Sequence, residues 1–202
     1  MSQNKEDEEI KIGLIGDSGV GKTNLINTSV GLGFNIQENS TVNSSFVIKE
    51  YFINDKKYIA NLWDTAGQEA YKGITQLFFR GAEIILLVYD ICVPESFESL
   101  NEWYELSEST INNEHIYGVI GNKNDLYLDS KVDEGKAKEF AEAKNALFKL
   151  ASAKENPSDF IDFVEELIIK YKNIKKTQRR QSIKITKNNN IKSNQEKKKC
   201  CN

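Results

Sequence analysis

The chain has 202 residues, a net charge of −3 and a hydrophobic fraction of 39%. This length favours one domain with some tail and a core that needs no disulfides for stability. The three cysteines suggest no disulfide framework, which indicates a reducing compartment, and the longest apolar run is too short to span a bilayer. The polar, acidic residues 1–8 are predicted to be a short extension and lack the pattern of a signal peptide.

Strand and helix patterns alternate along the body of the chain. The predicted strands are residues 9–16, 44–52, 57–63, 84–90, 117–122 and 146–150. The predicted helices are residues 23–30, 75–81, 96–109, 133–144 and 157–171. Asn54 and Asp55 give a hairpin signal, and the unbroken apolar runs near residues 84 and 117 indicate parallel strands buried on both faces. We therefore expect a three-layer α/β fold, with helices flanking a six-stranded, mostly parallel sheet.

Hydrophobic periodicity stops near residue 173. Residues 170–202 hold twelve Lys and Arg against one acid, Glu196, whereas residues 1–169 carry a net charge of −14. Such a polar, charged stretch predicts a disordered basic tail over residues 174–202, after a folded domain over residues 9–173.

The segment Gly16–Thr23 has the pattern G-x-x-x-x-G-K-[ST] between a predicted strand and a predicted helix. Its glycines let the backbone wrap an anion, and the helix N-terminus adds a positive dipole. Lys22 supplies a charge for the β- and γ-phosphates, and the Thr23 hydroxyl suits Mg²⁺. A glycine-rich turn that binds nothing is the alternative, but the fixed spacing in this setting favours a phosphate-binding P-loop.

Three further motifs follow predicted strands in order. They are Asp64–Gln68 (DTAGQ), Asn122–Asp125 (NKxD) and Ser152–Lys154 (SAK). Together with the P-loop, they resemble the motifs of Ras-superfamily small GTPases. The resemblance covers roughly residues 10–172 and implies the P-loop NTPase fold, guanine nucleotide and Mg²⁺ as cofactors, and hydrolysis of GTP to GDP.

The resemblance assigns roles residue by residue. Gln68 would orient the attacking water, with Lys22 as the second catalytic residue, and Thr23, Thr41 and Asp64 would serve the metal. Thr41 would join the metal only when a γ-phosphate holds its loop closed, and the Gly67 amide would contact that γ-phosphate, which makes these two contacts the switch. The remaining nucleotide contacts would come from Ser18, Gly19, Val20, Gly21, Asn24, Phe34, Asn122, Lys123, Asp125, Ser152, Ala153 and Lys154.

Guanine selection has a physical reason in this pattern. Asp125 can accept hydrogen bonds from guanine N1–H and the 2-amino group, which adenine does not offer in that arrangement. A carboxylate left unpaired discriminates by about 10⁴-fold. The arginines are Arg80, Arg179 and Arg180, and none lies in the P-loop, so intrinsic hydrolysis should be slow until a partner supplies one.

Other features resemble the Rab branch. Phe46, Trp63 and Phe78 fall where Rab proteins carry an aromatic triad that effectors contact. The ending Cys200-Cys201-Asn202 resembles the signal for geranylgeranylation of both cysteines, and two lipid chains anchor stably. The segment Val42–Ser45 and Ala70 depart from the usual Rab residues, which makes the chain a divergent member.

The resemblance implies a set of partners and a location. The partners are an exchange factor, an activating protein with an arginine finger, an escort protein with its prenyltransferase, a GDP-dissociation inhibitor and effectors. The location is the cytoplasmic face of intracellular membranes, cycling with cytosol, in vesicle traffic. A non-Rab Ras-like signalling GTPase and a nucleotide-binding scaffold are alternatives. A nucleic-acid-binding NTPase is disfavoured, because the tail lacks aromatic residues for base stacking.

Overall fold

The computed structural model of the chain describes residues 7–35, 45–65 and 80–199. Within them, six strands form one sheet in the order β2-β3-β1-β4-β5-β6. The strands are β1 Glu8–Ile15, β2 Ser45–Ile53, β3 Lys56–Asp64, β4 Ile84–Asp90, β5 Ile116–Asn122 and β6 Leu147–Leu150. β2 runs antiparallel to β3, and every other neighbouring pair is parallel. The predicted α/β class and mostly parallel sheet are confirmed.

Helices cover both faces of the sheet. They are α1 Lys22–Ser29, α2 Pro94–Glu98, α3 Leu100–Thr110, α4 Glu134–Ala143 and α5 Pro157–Lys199, with a 3-10 helix at Asn124–Asp129. One apolar cluster joins α1 and α5 to the sheet, and a second joins α2, α3 and α4 to the other face. These clusters make the three layers.

Two local predictions hold. Every residue of β4 and β5 is buried, as their unbroken apolar runs require. Asn54 and Asp55 join β2 to β3 with φ of 50° and 57°. Positive φ at both central positions is what a tight hairpin turn needs, and Asn and Asp tolerate it.

The helix predicted over residues 96–109 is wrong in its bounds. The structure divides it into α2 and α3 at Ser99, and it begins two residues earlier, at Pro94. Proline suits the first helical position because its fixed φ is helical and its missing N–H would have no partner there. The helix predicted over residues 75–81 lies mostly outside the described residues, which resume at a turn at Arg80 and Gly81.

The end of α5 differs most from the prediction. The helix continues to Lys199, so the described part of the tail is helical where we expected disorder from residue 174. No Pro or Gly follows Pro157, and Lys, Gln and Arg are good helix formers. The hydrophobic spacing ends near Tyr171 because it reports only where the helix packs on the core.

Candidate nucleotide-binding site

The loop between β1 and α1 is shaped by glycines that no other residue could replace. Gly16 has φ of 146°, and a Cβ atom built there would lie 2.1 Å from the Val88 carbonyl oxygen. A Cβ on Gly21, at φ of 94°, would lie 2.4 Å from Asn122 Nδ2. The loop therefore passes close against the ends of β4 and β5, at the carboxyl edge of the sheet where such folds bind ligands.

Lys22 is buried beneath this loop, with 5% of its surface exposed. Its Nζ donates to the Gly16 and Asp17 carbonyl oxygens, at 2.8 Å each. Burial lowers the Lys22 pKa to about 8, while the carboxylates of Asp64 and Asp17 act in the opposite direction. A phosphate group beside it would favour the charged form and reverse part of that shift.

Thr23 and Asp64 meet at the start of α1. The Thr23 hydroxyl donates to Asp64 Oδ2 at 2.7 Å, and Asp64 is buried at the end of β3. A hydroxyl and a carboxylate are the hard oxygen donors that Mg²⁺ prefers, and Mg²⁺ takes one or two carboxylates together with substrate phosphates. The donor set therefore fits the ion that the sequence predicts here.

Asn122 connects the loop to the next part of the site. Its buried side chain donates from Nδ2 to the Val20 carbonyl oxygen at 2.8 Å and accepts from the Ala153 amide at Oδ1, at 3.4 Å. The last residue of β5 thus bonds to the P-loop on one side and to the segment after β6 on the other.

Asp125 is held by the SAK segment. The Ser152 hydroxyl donates to Asp125 Oδ1 at 2.6 Å, and Lys154 Nζ lies 3.8 Å from Asp125 Oδ2. Only 8% of the Asp125 side chain is exposed, so a ligand that met it would bond to a largely desolvated carboxylate. The two predicted base-reading motifs are thus brought together by a direct side-chain bond.

Other predicted contacts have partners within the protein. Lys123 has a left-handed backbone with φ of 68°, and its Nζ lies 2.7 Å from Asp90 Oδ2. The Asn24 amide makes reciprocal bonds to the Asn35 backbone, at 3.0 Å each, which attaches α1 to the chain that follows it. Ser18, Gly19 and Phe34 are exposed at the rim. Their contacts with a nucleotide remain predictions.

Two members of the predicted aromatic triad are neighbours. Phe46 and Trp63 stack across β2 and β3 with ring centroids 5.1 Å apart, and Phe46 is 53% exposed. The Lys11 ammonium lies 4.5 Å from the centre of the Trp63 ring. The other predicted residues Thr41, Gly67, Gln68, Phe78, Cys200 and Cys201 lie outside the described residues.

The structure adds one contact that the sequence did not predict. Trp103 of α3 donates from Nε1 to Asp17 Oδ1 in the P-loop, at 2.7 Å. The two residues are 86 positions apart, and the apolar face of α3 explains a tryptophan there without any partner. No sequence signal could have identified this bond.

Comparison with known proteins gives consistent matches. A model of the Ras family matches residues 11–173. The Ras-related protein Rab-30 of Homo sapiens is 39% identical over 84% of this chain and 81% of its own length. The Ras-related protein Rab-7a of Paramecium octaurelia is 41% identical over 72% of this chain and 73% of its own length. The Ras-related protein Rab11B of Nicotiana tabacum is 41% identical over 80% and 75%, respectively.

Proposed function

The chain belongs to the Rab proteins of the Ras family, and we propose that it is a membrane-anchored switch that binds GTP tightly and hydrolyses it slowly. Family membership makes it a small GTPase of vesicle trafficking that binds guanine nucleotide. We extend this proposal to the roles of individual residues, the metal, the lipid anchor and the slow rate of hydrolysis.

The observation that carries the proposal is the fixed carboxylate of Asp125. The Ser152 hydroxyl donates to one of its oxygens, and the Asp125 side chain is largely buried. Guanine would offer its N1–H and 2-amino group to this carboxylate, whereas adenine would leave it unpaired. The Ala153 amide, now directed at Asn122, is the donor that we assign to guanine O6.

The phosphates would lie over the P-loop and Lys22. The buried ammonium is oriented by two backbone carbonyls, so its charge is in place before the ligand arrives. Thr23 and Asp64 would hold Mg²⁺, which when bound neutralises phosphate charge. Gln68 would orient the water, while Thr41 and the Gly67 amide would report whether a γ-phosphate is present.

Partners and location follow in part from the family. Exchange factors, activating proteins, a GDP-dissociation inhibitor and effectors are the kinds of partner that Rab proteins have. We further propose that an activating protein supplies the arginine, and that an escort protein and prenyltransferase modify Cys200 and Cys201. None of the helices in residues 7–35, 45–65 and 80–199 could cross a membrane. The two lipids and the basic tail would hold the protein on the cytoplasmic face of membranes.

Equilibrium competition against fluorescent GDP tests the nucleotide assignment. GTP and GDP should compete far better than ATP, by about 10⁴-fold. Gln68→Leu should bind GTP like the wild type and nearly stop single-turnover hydrolysis. Equal competition by ATP would overturn the guanine assignment, and wild-type hydrolysis in Gln68→Leu would overturn the role of Gln68.

Cell fractionation tests the anchor. Replacing both Cys200 and Cys201 by Ser should leave GDP affinity unchanged and move the protein from membranes to cytosol, because exposed charge alone is screened at physiological salt. A single replacement should bind membranes weakly and reversibly. Mass spectrometry of the wild-type C-terminal peptide is the control, and an unmodified peptide would contradict the proposal.

A further inference from the structure

The P-loop needs contacts from outside to keep one conformation. Gly16, Gly19 and Gly21 all have positive φ, of 146°, 79° and 94°. Glycine loses more conformational freedom on folding than any other residue, so a loop with three in six positions is costly to order. In the described part of the chain, side chains from distant elements bond to this loop, among them the Asn122 amide at the Val20 carbonyl and the Trp103 indole at the Asp17 carboxylate.

Trp103 is unusual among the buried side chains. It is 1% exposed, although tryptophan is seldom fully buried. A buried indole N–H usually finds a partner, and here the partner is the carboxylate of Asp17, 2.7 Å away. A bond to an ionised acceptor is stronger than a neutral one. The indole therefore fixes the direction of a side chain that belongs to the P-loop itself.

Asp17 transmits this contact to the phosphate-binding group. Its own carbonyl oxygen accepts from Lys22 Nζ at 2.8 Å, beside the Gly16 carbonyl at the same distance. Side chain and carbonyl belong to one residue, so fixing the carboxylate limits rotation of the carbonyl. We propose that Trp103 is a positioning residue for nucleotide binding, which acts through Asp17 to orient Lys22. This inference rests on the proposed function, since it requires phosphates at the P-loop.

A role in packing alone makes a different prediction. Trp103 belongs to the apolar cluster beneath α3, so any change to it lowers stability. Tyr117 is a matched control in the same cluster. Its hydroxyl bonds to Glu108 Oε1 at 2.7 Å and Ser107 Oγ at 2.8 Å, and it lies near the start of β5, whereas Asn122 ends that strand. Tyr117→Phe thus keeps the aromatic ring and removes a hydroxyl that bonds at the end of β5 opposite to Asn122.

The test compares Trp103→Phe, Asp17→Leu, their double variant and Tyr117→Phe in the full-length chain. Trp103→Phe keeps an aromatic ring and removes the donor, while Asp17→Leu removes the acceptor and leaves Trp103 in place. The readouts are the release rate of fluorescent GDP into excess unlabelled GDP, with Mg²⁺ present, and the midpoint of thermal unfolding.

Each single variant at Trp103 or Asp17 should release GDP about tenfold faster, the effect of one lost bond to a charged group. The double variant should release no faster than the quicker single variant, because both remove the same bond. Tyr117→Phe should lower the thermal midpoint and leave release within about twofold of wild type, since its bond lies away from the site. If Trp103→Phe does not fold, Asp17→Leu alone decides, because Asp17 is only partly buried.

Three results would overturn the inference. They are wild-type release from Trp103→Phe or Asp17→Leu, equal acceleration by Tyr117→Phe, and a double variant whose effect is the product of the two single effects. A wild-type chain that does not bind GDP would instead refute the proposed function.

Discussion

The two halves of the nucleotide site are held in place in different ways. We define the phosphate half as Gly16–Thr23 and the base half as Asn122–Asp125 with Ser152–Lys154. In the base half, the side chains that we assign to the base bond to each other, as Ser152 does to Asp125. In the phosphate half, a glycine-rich loop depends on side chains from other elements. On the proposed assignment, base selection rests on a preformed group, and phosphate binding rests on contacts that can be loosened separately.

Asn122 is the residue that joins the halves, and its removal should loosen both of them at once. Asn122→Ala takes one bond from the Val20 carbonyl and another from the Ala153 amide, and it leaves both buried groups unpaired. We expect GDP release to accelerate about 100-fold, which corresponds to ~3 kcal/mol. Stopped-flow measurement of fluorescent GDP release gives the rate.

Asn113→Ala is the matched control for that experiment. The Asn113 amide also donates to backbone carbonyls, those of Ala82 at 3.0 Å and Glu114 at 3.2 Å, but near the start of β5. It should leave GDP release unchanged. Equal acceleration in both variants would mean that general loss of stability, and not the link between the halves, controls release.

A second prediction concerns the pH dependence of GDP affinity, which we expect to arise from Lys22 in the phosphate half. Lys22 has a pKa near 8 in the folded protein against an ordinary value of 10.5, and bound phosphate favours its charged form. Binding should therefore take up a proton above pH 8, and GDP affinity should fall by up to about tenfold per pH unit there. Titrations between pH 7 and 9 measure this slope.

The same shift has a consequence for stability. Below pH 8 the folded, nucleotide-free protein carries a buried charge. Between the folded and the unfolded pKa, the unfolded chain holds more protons, so this group's contribution to stability rises with pH.

Lys22→Gln is the control for the affinity titration. It should bind GDP weakly, and its affinity should change less with pH than that of the wild type. If its affinity changes with pH as steeply as that of the wild type, another group causes the pH effect.

The third and smallest effect sharpens the claim that the base half is preformed. Ser152→Ala removes the donor that orients Asp125 but leaves the carboxylate itself. We expect about fivefold weaker GDP binding, equivalent to ~1 kcal/mol, together with poorer discrimination against ADP. Calorimetric titration with both nucleotides checks it, and unchanged discrimination would show that Asp125 needs no support from Ser152.

Local patterns predicted much of the fold. The apolar runs were sufficient to predict β4 and β5, and Asn54-Asp55 was sufficient to predict the hairpin turn, because burial and turn conformation depend on neighbouring residues. The end of α5 was not predicted, because periodicity detects contact with the core and not helix propensity. The division at Ser99 was also missed. Ser99 keeps a helical backbone, at φ −65° and ψ −16°, so the sequence pattern continues through it without a visible change.

The same difference between local patterns and tertiary packing applies to the site. Sequence motifs indicated Lys22, Asp125 and Ser152, and the structure brings Ser152 and Asp125 into direct contact. The bond between Trp103 and Asp17 could not be predicted from the sequence, because it depends on how α3 packs against the sheet. Contacts within a motif can be inferred from the motif, whereas contacts that hold a motif in place depend on tertiary packing.

The most direct test of a preformed, guanine-reading base half is the affinity of wild type and Asp125→Asn for GDP and xanthosine diphosphate. Wild type should prefer GDP. Asp125→Asn should lose about 10⁴-fold in GDP affinity and prefer xanthosine diphosphate, whose 2-oxo group accepts from an amide. Thermal unfolding of the nucleotide-free variants controls for loss of the fold. An Asp125→Asn protein that folds and still prefers GDP would contradict the assignment of Asp125 as the group that reads the base.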